Sequence, residues 1–283
     1  KRQMPALLFP VVPLPFLFSF RDIVLEDEPF QLAVELRRHI DRIHDVIDLH
    51  VGCRLIVAQG REKRLGCFTL LLTAARRIPE AVERVKGGAW LTWEPLGLLG
   101  ADVWGATLGI VGLGRIGTAV ACRARGFHMR VLYHDPLRKP ELEEELGLTY
   151  ASLEALLEQS DFVSVHTPLV PGTHHLIDEA ALRRMKPTAI LINAARGEIV
   201  DTAALVQALE TGWIARAALD VTDPEPIPAD HPLVPMPQCI IVPHIGSATV
   251  TARNRMAQMA AQNLLAGLQG KRLPYCANPR VYE

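Results

Sequence analysis

The segment TLGIVGLGRIG, residues Thr107–Gly117, decides the fold that this sequence predicts. An apolar strand runs into the spacing Gly112-x-Gly114-x-x-Gly117, and a helical pattern follows directly. In this context the first glycine makes a tight turn, the second lets the backbone approach a pyrophosphate, and the third packs helix on strand. The alternative is a glycine-rich turn that binds no ligand. The predicted cofactor contacts here are Gly112, Gly114, Arg115, Ile116 and Gly117.

Asp135 ends the next apolar run, VLYHD, and extends this prediction. A carboxylate at this position accepts hydrogen bonds from the ribose hydroxyls of NAD and repels a 2′-phosphate. We therefore expect NAD as the preferred cofactor. NADP is the alternative, because Arg138 follows three residues later. Asp135 could also cap the turn before Pro136, which is compatible with a cofactor role.

The chain from about residue 105 onward alternates apolar runs with helical stretches. Strands that are buried on both faces read as continuous apolar runs, and the helices between them provide the crossovers. Ser152 and Asp201 stand at N-cap positions, and Gly126 and Gly212 at positions that end helices. The pattern predicts an α/β fold with a doubly wound parallel sheet of the Rossmann type.

Two long helical patterns lie outside this alternation. One covers residues 68–88 and contains Pro79, which we expect to bend it. The other begins near residue 252, with Gly270 available to end it. We predict an NAD-binding domain over residues 68–250 and a smaller substrate domain from residues 1–67 plus 251–283.

Composition excludes several classes of partner. The 283 residues contain 30 Lys+Arg and 31 Asp+Glu, for a net charge of −1, so no basic surface is expected to recruit nucleic acid. The cysteines are scattered without a C-x-x-C spacing, which is typical of reduced thiols in a cytoplasm. They are Cys53, Cys67, Cys122, Cys239 and Cys276.

The first 21 residues combine a basic start with an apolar run, as a signal peptide does. Prolines interrupt that run, no A-x-A cleavage site follows, and the run is short for a bilayer span. We expect a non-exported cytoplasmic protein without a membrane partner.

Three polar residues follow predicted strands at the edge where α/β sheets bind ligands: Arg196, Glu225 and His244. Reduction of a 2-keto acid needs a cation for the carboxylate, an acid for the developing alkoxide, and a partner that keeps this acid charged. Arg196 can direct two N–H donors at a carboxylate and a keto oxygen. His244 would be the acid, and Glu225 would favour its charged form and fix its tautomer.

Each of the three also has an ordinary structural interpretation. Arg196 could pair with Glu198 or Asp201, Glu225 could be a solvated turn carboxylate, and His244 could be a core histidine. Their joint occurrence after a dinucleotide loop favours the chemical interpretation. No metal site is expected at His166, His174 or His175, because no cysteine or carboxylate completes a ligand set, and His231 is predicted to lie in a loop.

Several motifs together resemble one family: LGIVGLGRIG, VHTPL, NAARGEIVD, ALDVTDPEP and VPHIGSAT. In this order and spacing they are similar to the D-isomer-specific 2-hydroxyacid dehydrogenases. The segments LLLTAARRIPEA, HPL and NLLAGLQG are most similar to the glyoxylate/hydroxypyruvate reductase branch. The resemblance covers roughly residues 68–283.

The resemblance implies reduction of glyoxylate or hydroxypyruvate to the D-2-hydroxy acid with NAD(P)H. It makes Arg196 the substrate clamp and Glu225–His244 the acid–base pair. It also implies that Thr167 lines the cofactor site and that Asp220 approaches the nicotinamide amide.

The family resemblance further implies a homodimer, in which the arm Trp90–Trp104 embraces the partner. Trp93 would either reach the neighbouring active site or anchor the interface. The family's flavodoxin-like substrate lobe, normally ~100 residues or more, is expected to be incomplete here. Val51-Gly52 is the one short segment that resembles the glycine-containing loop of that lobe.

A second hypothesis is a protein that binds NAD without turnover, as in cofactor-sensing corepressors that share the Arg/Glu/His set. The reductase motifs favour the enzyme. A scaffold would instead be expected to expose an apolar groove to its partner.

Overall fold

The apolar runs of the sequence form a parallel β-sheet in the computed structural model, which describes residues 66–282. The N-terminal apolar run and the Val51-Gly52 pair lie outside the described residues. The strands are β1 (Thr107–Val111), β2 (Arg130–His134), β3 (Leu148–Tyr150), β4 (Phe162–Val165), β5 (Ile190–Asn193), β6 (Arg216–Leu219) and β7 (Cys239–Ile241). Their order across the sheet is β3-β2-β1-β4-β5-β6-β7, and every pairing is parallel. The predicted doubly wound sheet is confirmed.

Helices precede, follow and connect these strands. The helices are α1 (residues 66–75), α2 (Ile78–Lys86), α3 (Arg115–Ala124), α4 (Pro140–Leu146), α5 (Leu153–Gln159), α6 (Glu179–Arg184), α7 (Thr202–Thr211) and α8 (Val250–Leu268). The predicted caps form: Ser152 accepts from the N–H of Ala155, and Asp201 from that of Ala204. None of the helices in residues 66–282 is long and apolar enough to span a bilayer.

Successive residues of the central strands pack into two separate hydrophobic clusters. Ile110 and Ile190 face one cluster, which also receives α1 and α3. Val111 and Leu191 face the other, which receives α5, α6 and α7. Each such buried aliphatic side chain contributes about 1.5–3 kcal/mol of transfer free energy. Burial on both faces therefore explains why these strands are continuous apolar runs.

The strand order reverses between β1 and β4. From β1 the chain builds outward through β2 and β3, and then returns to place β4 on the other side. The carboxyl ends of β1 and β4 consequently border the crevice in which such sheets bind ligands.

The helical pattern over residues 68–88 is broken rather than bent. Arg77 adopts a left-handed backbone, with φ 55°, between α1 and α2. Its guanidinium binds Glu80 at 2.7 Å, and Arg216 binds the other oxygen of Glu80 at 2.8 Å. This ion cluster fixes α2 to the start of β6, so a partner distant in sequence sets the direction of the helix.

Gly126 follows the C-cap of α3, Arg125, as predicted, but it does not take the left-handed conformation of a helix-ending glycine. Gly126 lies inside a 3₁₀ turn, Arg125–Phe127, and His128 takes the left-handed conformation instead, with φ 52°. Phe127, the last residue of this turn, stacks on Phe68 with ring centroids 5.6 Å apart. Gly212 does end α7 in the left-handed region, as predicted.

Substitution of Gly117 by alanine should destabilise this part of the sheet. The added Cβ would lie 2.2 Å from the carbonyl oxygen of Gly112 and 3.1 Å from Ile110. Overpacking of this kind costs about 1–3 kcal/mol, so thermal unfolding should move down by several degrees. Gly126→Ala is the matched control, because its Cβ would meet nothing within 4 Å. Equal melting temperatures for the two variants would contradict the close packing.

Candidate active site

The glycine loop leaves open space at the N-terminus of α3. Gly112 has φ 97°, and a Cβ there would lie 2.8 Å from the backbone nitrogen of Thr167. Gly114 is the N-cap, so no side chain bonds the first N–H groups of α3, and a Cβ at Gly114 would meet nothing within 4 Å. In α5 to α8 these groups are capped by Ser152, Asp178, Asp201 and Thr249.

The uncapped helix end suits an anionic ligand. Arg115 is exposed and Ile116 is partly buried in the first turn of α3. Their N–H groups and the positive end of the helix dipole face the open space, which fits the pyrophosphate of a dinucleotide.

Asp135 lies beside this loop, where a ribose would be expected. One carboxylate oxygen accepts from the N–H of Leu113 at 2.8 Å, and the other from that of Leu137 at 3.0 Å. Burial alone would raise the pKa of Asp135, but these bonds and the Lys139 ammonium, 3.4 Å away, lower it. The carboxylate therefore stays charged, and its second lone pairs remain available for ribose hydroxyls.

Thr167 and His166 form the β4 side of the crevice. Both are partly buried, and their backbone faces Gly112. Nε2 of His166 lies 2.8 Å from the hydroxyl of Ser164, and burial lowers the pKa of His166 to about 4. The imidazole is therefore neutral at physiological pH.

The loop after β5 presents Arg196. The buried Asn193 shapes this loop: its side-chain nitrogen donates to the carbonyl of Arg196 at 2.8 Å, and its oxygen accepts from the N–H of Ala195 at 3.0 Å. The guanidinium donates to the Ala195 carbonyl at 2.7 Å and forms no ion pair with any carboxylate of residues 66–282. The alternative pairing with Glu198 or Asp201 is thus absent, and the cation is available to an anionic ligand.

Asp220, at the end of β6, is only 1% exposed. Its carboxylate accepts from the N–H groups of Ile245 at 2.7 Å and Gly246 at 3.0 Å. Its backbone N–H donates to the Asn193 carbonyl, and its carbonyl accepts from the N–H of His244 at 3.0 Å. These bonds connect the ends of β5, β6 and β7. Direct contact of Asp220 with a nicotinamide amide stays a prediction.

Glu225 and His244 come together as predicted. The imidazole Nδ1 lies 2.7 Å from a carboxylate oxygen of Glu225, in side chains that are 32% and 42% exposed respectively. His244 is therefore not a core histidine, and the exposed Glu225 carboxylate is paired with it rather than bound to solvent alone. Nε2 of His244 has no hydrogen-bond partner in the described part of the chain, so it can exchange a proton with a ligand.

Two contributors to this site were missed in the sequence. Asn193 had a signal, as the one polar residue inside an apolar run that ends at the ligand edge. Ser247 had none: its hydroxyl is buried beside the Asp220 contacts and has no hydrogen-bond partner in the structure described. A buried hydroxyl without a partner is costly, and its position three residues after His244 makes it a candidate ligand contact.

A cavity of about 860 Å³ opens next to the acid–base pair. Glu225 and His244 are among its lining residues, and most of the others are apolar residues between α2 and β7. Arg196 and the glycine loop do not line it. Within residues 66–282 no three His, Cys, Asp or Glu side chains are grouped to hold a metal.

The reversed strand order, the uncapped helix end behind Gly112, and Asp135 after β2 together define a dinucleotide-binding domain. A histidine–carboxylate pair at the same sheet edge has the groups needed to transfer a proton to a ligand bound there.

Comparison with known proteins specifies the class. Residues 68–246 match the family model "D-isomer specific 2-hydroxyacid dehydrogenase, NAD binding domain". The chain therefore belongs to the D-isomer-specific 2-hydroxyacid dehydrogenase family, as the sequence motifs predicted.

Individual relatives agree with this assignment. A glyoxylate reductase of Korarchaeum cryptofilum is 53% identical over 217 residues, which are 76% of this chain and 65% of the relative. The TT0316 protein from Thermus thermophilus superposes with a TM-score of 0.73 at 49% identity, covering 77% of this chain and 68% of that one. D-lactate dehydrogenase with NAD⁺ from Lactobacillus jensenii gives 0.67 at 34% identity, with coverages of 77% and 68%. The chain thus spans about two thirds of the length of the curated relatives it matches.

The low pKa of His166 predicts a loss of stability in mild acid. Because the pKa is about 4 in the fold and 6.5 in the reference state, the unfolded chain alone binds this proton between those values. Stability from the neutral imidazole is complete above pH 6.5 and falls as the pH drops toward 4, by about 2 kcal/mol at pH 5. Urea unfolding at pH 7 and pH 5 measures this difference.

His166→Gln should show a smaller loss over that interval, because glutamine does not titrate. His174→Gln is the control, since His174 is exposed and should leave the loss unchanged. The same pH dependence in His166→Gln as in the unaltered chain would show that His166 is not its source.

Proposed function

We propose that this chain is an NAD(P)H-dependent reductase that converts glyoxylate or hydroxypyruvate to the corresponding 2-hydroxy acid. The observation that carries the proposal is the 2.7 Å Glu225–His244 pair, whose Nε2 stays available at the edge that carries the dinucleotide loop. The curated relatives named glyoxylate reductase, at 48–53% identity, support this substrate class. Hydroxypyruvate is the finer alternative from the sequence resemblance.

The residues divide the chemistry among them. Arg196 binds the substrate carboxylate and polarises the keto oxygen, because its guanidinium is charged and is not paired within residues 66–282. A reduced nicotinamide bound at this edge would provide the hydride for the keto carbon. His244 donates the Nε2 proton to the oxygen as negative charge develops there, and Glu225 stabilises the imidazolium before the transfer. One hydride and one proton are thus added to the carbonyl.

The non-catalytic alternative has weaker support. The cavity beside β7 has the apolar lining that a scaffold would need, but Glu225 and His244 line it as well, so it does not discriminate between the two. The relatives cited above are named as reductases and dehydrogenases, which favours turnover.

The first experiment is the initial rate of NADH oxidation with glyoxylate and then with hydroxypyruvate. We expect saturable turnover with at least one of them. A chain that binds NADH tightly and reduces neither would contradict the proposed activity while leaving the cofactor site intact.

Arg196→Ala and His244→Ala should fail in different ways. Without the guanidinium, KM for the keto acid should rise steeply and kcat should fall. Without the imidazole, kcat should fall by about 10²–10⁴ with little change in KM. Steady-state kinetics separates the two effects. Arg184→Ala is the matched control, since Arg184 pairs with Glu158 on the surface. An unaltered kcat/KM in either site variant would overturn its role.

We also propose a homodimer through the arm Trp90–Trp104. Five of its large apolar side chains are 62–88% exposed in the chain on its own, and a contiguous exposed apolar patch often marks a protein–protein interface. They are Trp90, Leu91, Trp93, Leu96 and Leu99. The ion pair of Arg84 with Glu94, at 2.5 Å, holds the arm against α2.

The remaining assignments extend the same proposal. The NAD-binding domain would cover residues 68–250, and residues 1–67 plus 251–283 would form the substrate domain. α1 supports the first boundary, because it packs into the cluster that includes Ile110. The scattered thiols support a cytoplasmic location.

If the arm Trp90–Trp104 forms the dimer interface, replacement of Leu91 and Trp93 by aspartate should weaken self-association. Sedimentation velocity should give a dimer for the unaltered chain and a monomer for Leu91→Asp/Trp93→Asp, because a charge in an apolar interface is costly. Leu265→Asp on α8, also an exposed leucine, is the control and should stay dimeric. A monomeric unaltered chain would contradict the proposed interface.

A further inference from the structure

The loop between β2 and α4 contains two cations next to the predicted ribose position, and both are already engaged. The Arg138 guanidinium binds the Glu143 carboxylate through two parallel bonds, Nε at 2.9 Å and Nη2 at 2.8 Å. The Lys139 ammonium binds the carbonyl of Leu113 in the glycine loop and lies 3.4 Å from Asp135. Neither cation is left without a partner.

Glu143 is also held by Tyr133, a residue of β2 in the core. The hydroxyl of the fully buried Tyr133 donates to it at 2.6 Å, and the same hydroxyl accepts from the backbone N–H of Lys139 at 2.8 Å. The Arg138 guanidinium and the Tyr133 hydroxyl lower the pKa of Glu143 to about 2. The carboxylate is therefore charged at every working pH, and its position depends on the core of the sheet.

This arrangement bears on how the site tells the two nicotinamide dinucleotides apart. A 2′-phosphate carries close to two negative charges and needs a cation with free donors. Arg138 is the exposed cation of this loop, but its paired donors point at Glu143 on α4, and it has no bond to Asp135 in the described structure. Asp135 meanwhile remains charged and would repel the phosphate.

We propose that Glu143 is a specificity-determining residue: by binding Arg138 it withholds that cation from a 2′-phosphate and enforces a preference for NAD(H). The inference rests on the proposed cofactor role. Glu143 acts through Arg138, so it is a positioning residue. Loss of its charge frees a guanidinium three residues after Asp135, where it can meet the phosphate.

Direct binding tests this without turnover. The fluorescence of the reduced nicotinamide is titrated for NADH and NADPH with the unaltered chain, Glu143→Gln, and the matched control Glu144→Gln, an exposed glutamate of the same helix. Glu143→Gln should bind NADPH about tenfold more tightly and NADH within about twofold of the unaltered chain. Glu144→Gln should change neither affinity.

Variants that lack Arg138 complete a double-mutant cycle with Glu143→Gln. They show whether a gain in NADPH affinity depends on Arg138 or arises from a general structural change. Arg138→Ala added to Glu143→Gln should abolish the gain in NADPH affinity. Arg138→Ala alone should leave NADPH affinity unchanged, because this cation is already withheld. If Arg138→Ala alone weakens NADPH binding tenfold, Arg138 already reaches the phosphate and the inference is overturned.

The inference and the proposed function fail in different ways. Normal NADH binding with an unchanged NADPH affinity in Glu143→Gln would overturn the role of Glu143 alone. Absence of binding of both nucleotides to the unaltered chain would overturn the proposed cofactor function, and this inference with it. If Glu143→Gln fails to fold, the NADPH affinity of the single Arg138→Ala variant tests the inference: an unchanged affinity supports it, and a tenfold loss overturns it.

Discussion

The candidate site depends on one buried carboxylate and the donors that surround it. Burial of a carboxyl group as deep as that of Asp220 is costly unless hydrogen bonds replace its contacts with water. The backbone N–H groups of Ile245 and Gly246 provide them. The backbone of Asp220 also forms hydrogen bonds with the backbones of Asn193 and His244. Together these bonds fix the ends of β5, β6 and β7 relative to one another. Arg196 and His244 are presented from this framework, and neither is held by a bond to the other.

The cations of the site follow a consistent division. Arg138 and Lys139 pair with Glu143 and Asp135, so they shape the loop between β2 and α4. Arg196 binds only a carbonyl oxygen among its described neighbours. An unpaired guanidinium near the protein interior is costly, so this position favours a carboxylate ligand. The pairing state of each arginine therefore separates a structural cation from one that is free to bind substrate.

Most of the sheet could be predicted from sequence because its strands are buried on both faces, which makes apolar runs unavoidable. The exceptions are informative. β3 and α4 were missed because ELEEELGLTY is largely polar, and only Leu148 of β3 is buried. The break at Arg77 depends on Arg216, whose position relative to Glu80 follows from the completed fold. The sequence did not show which glutamate of α4 pairs with Arg138. Glu143 is distinguished only in the folded structure, where it accepts a hydrogen bond from the buried Tyr133.

The partly exposed Glu225–His244 pair already has its hydrogen-bonding geometry without a bound ligand. At 2.7 Å the imidazole is already oriented, but with 32% of the His244 side chain and 42% of the Glu225 side chain exposed to water the Coulomb attraction is screened. A ligand that covered the pair would exclude water and lower the local dielectric, so the same distance would then give a stronger attraction between the two side chains. The backbone bonds from Asp220 supply the complementary part, since they hold the histidine in place before any ligand arrives.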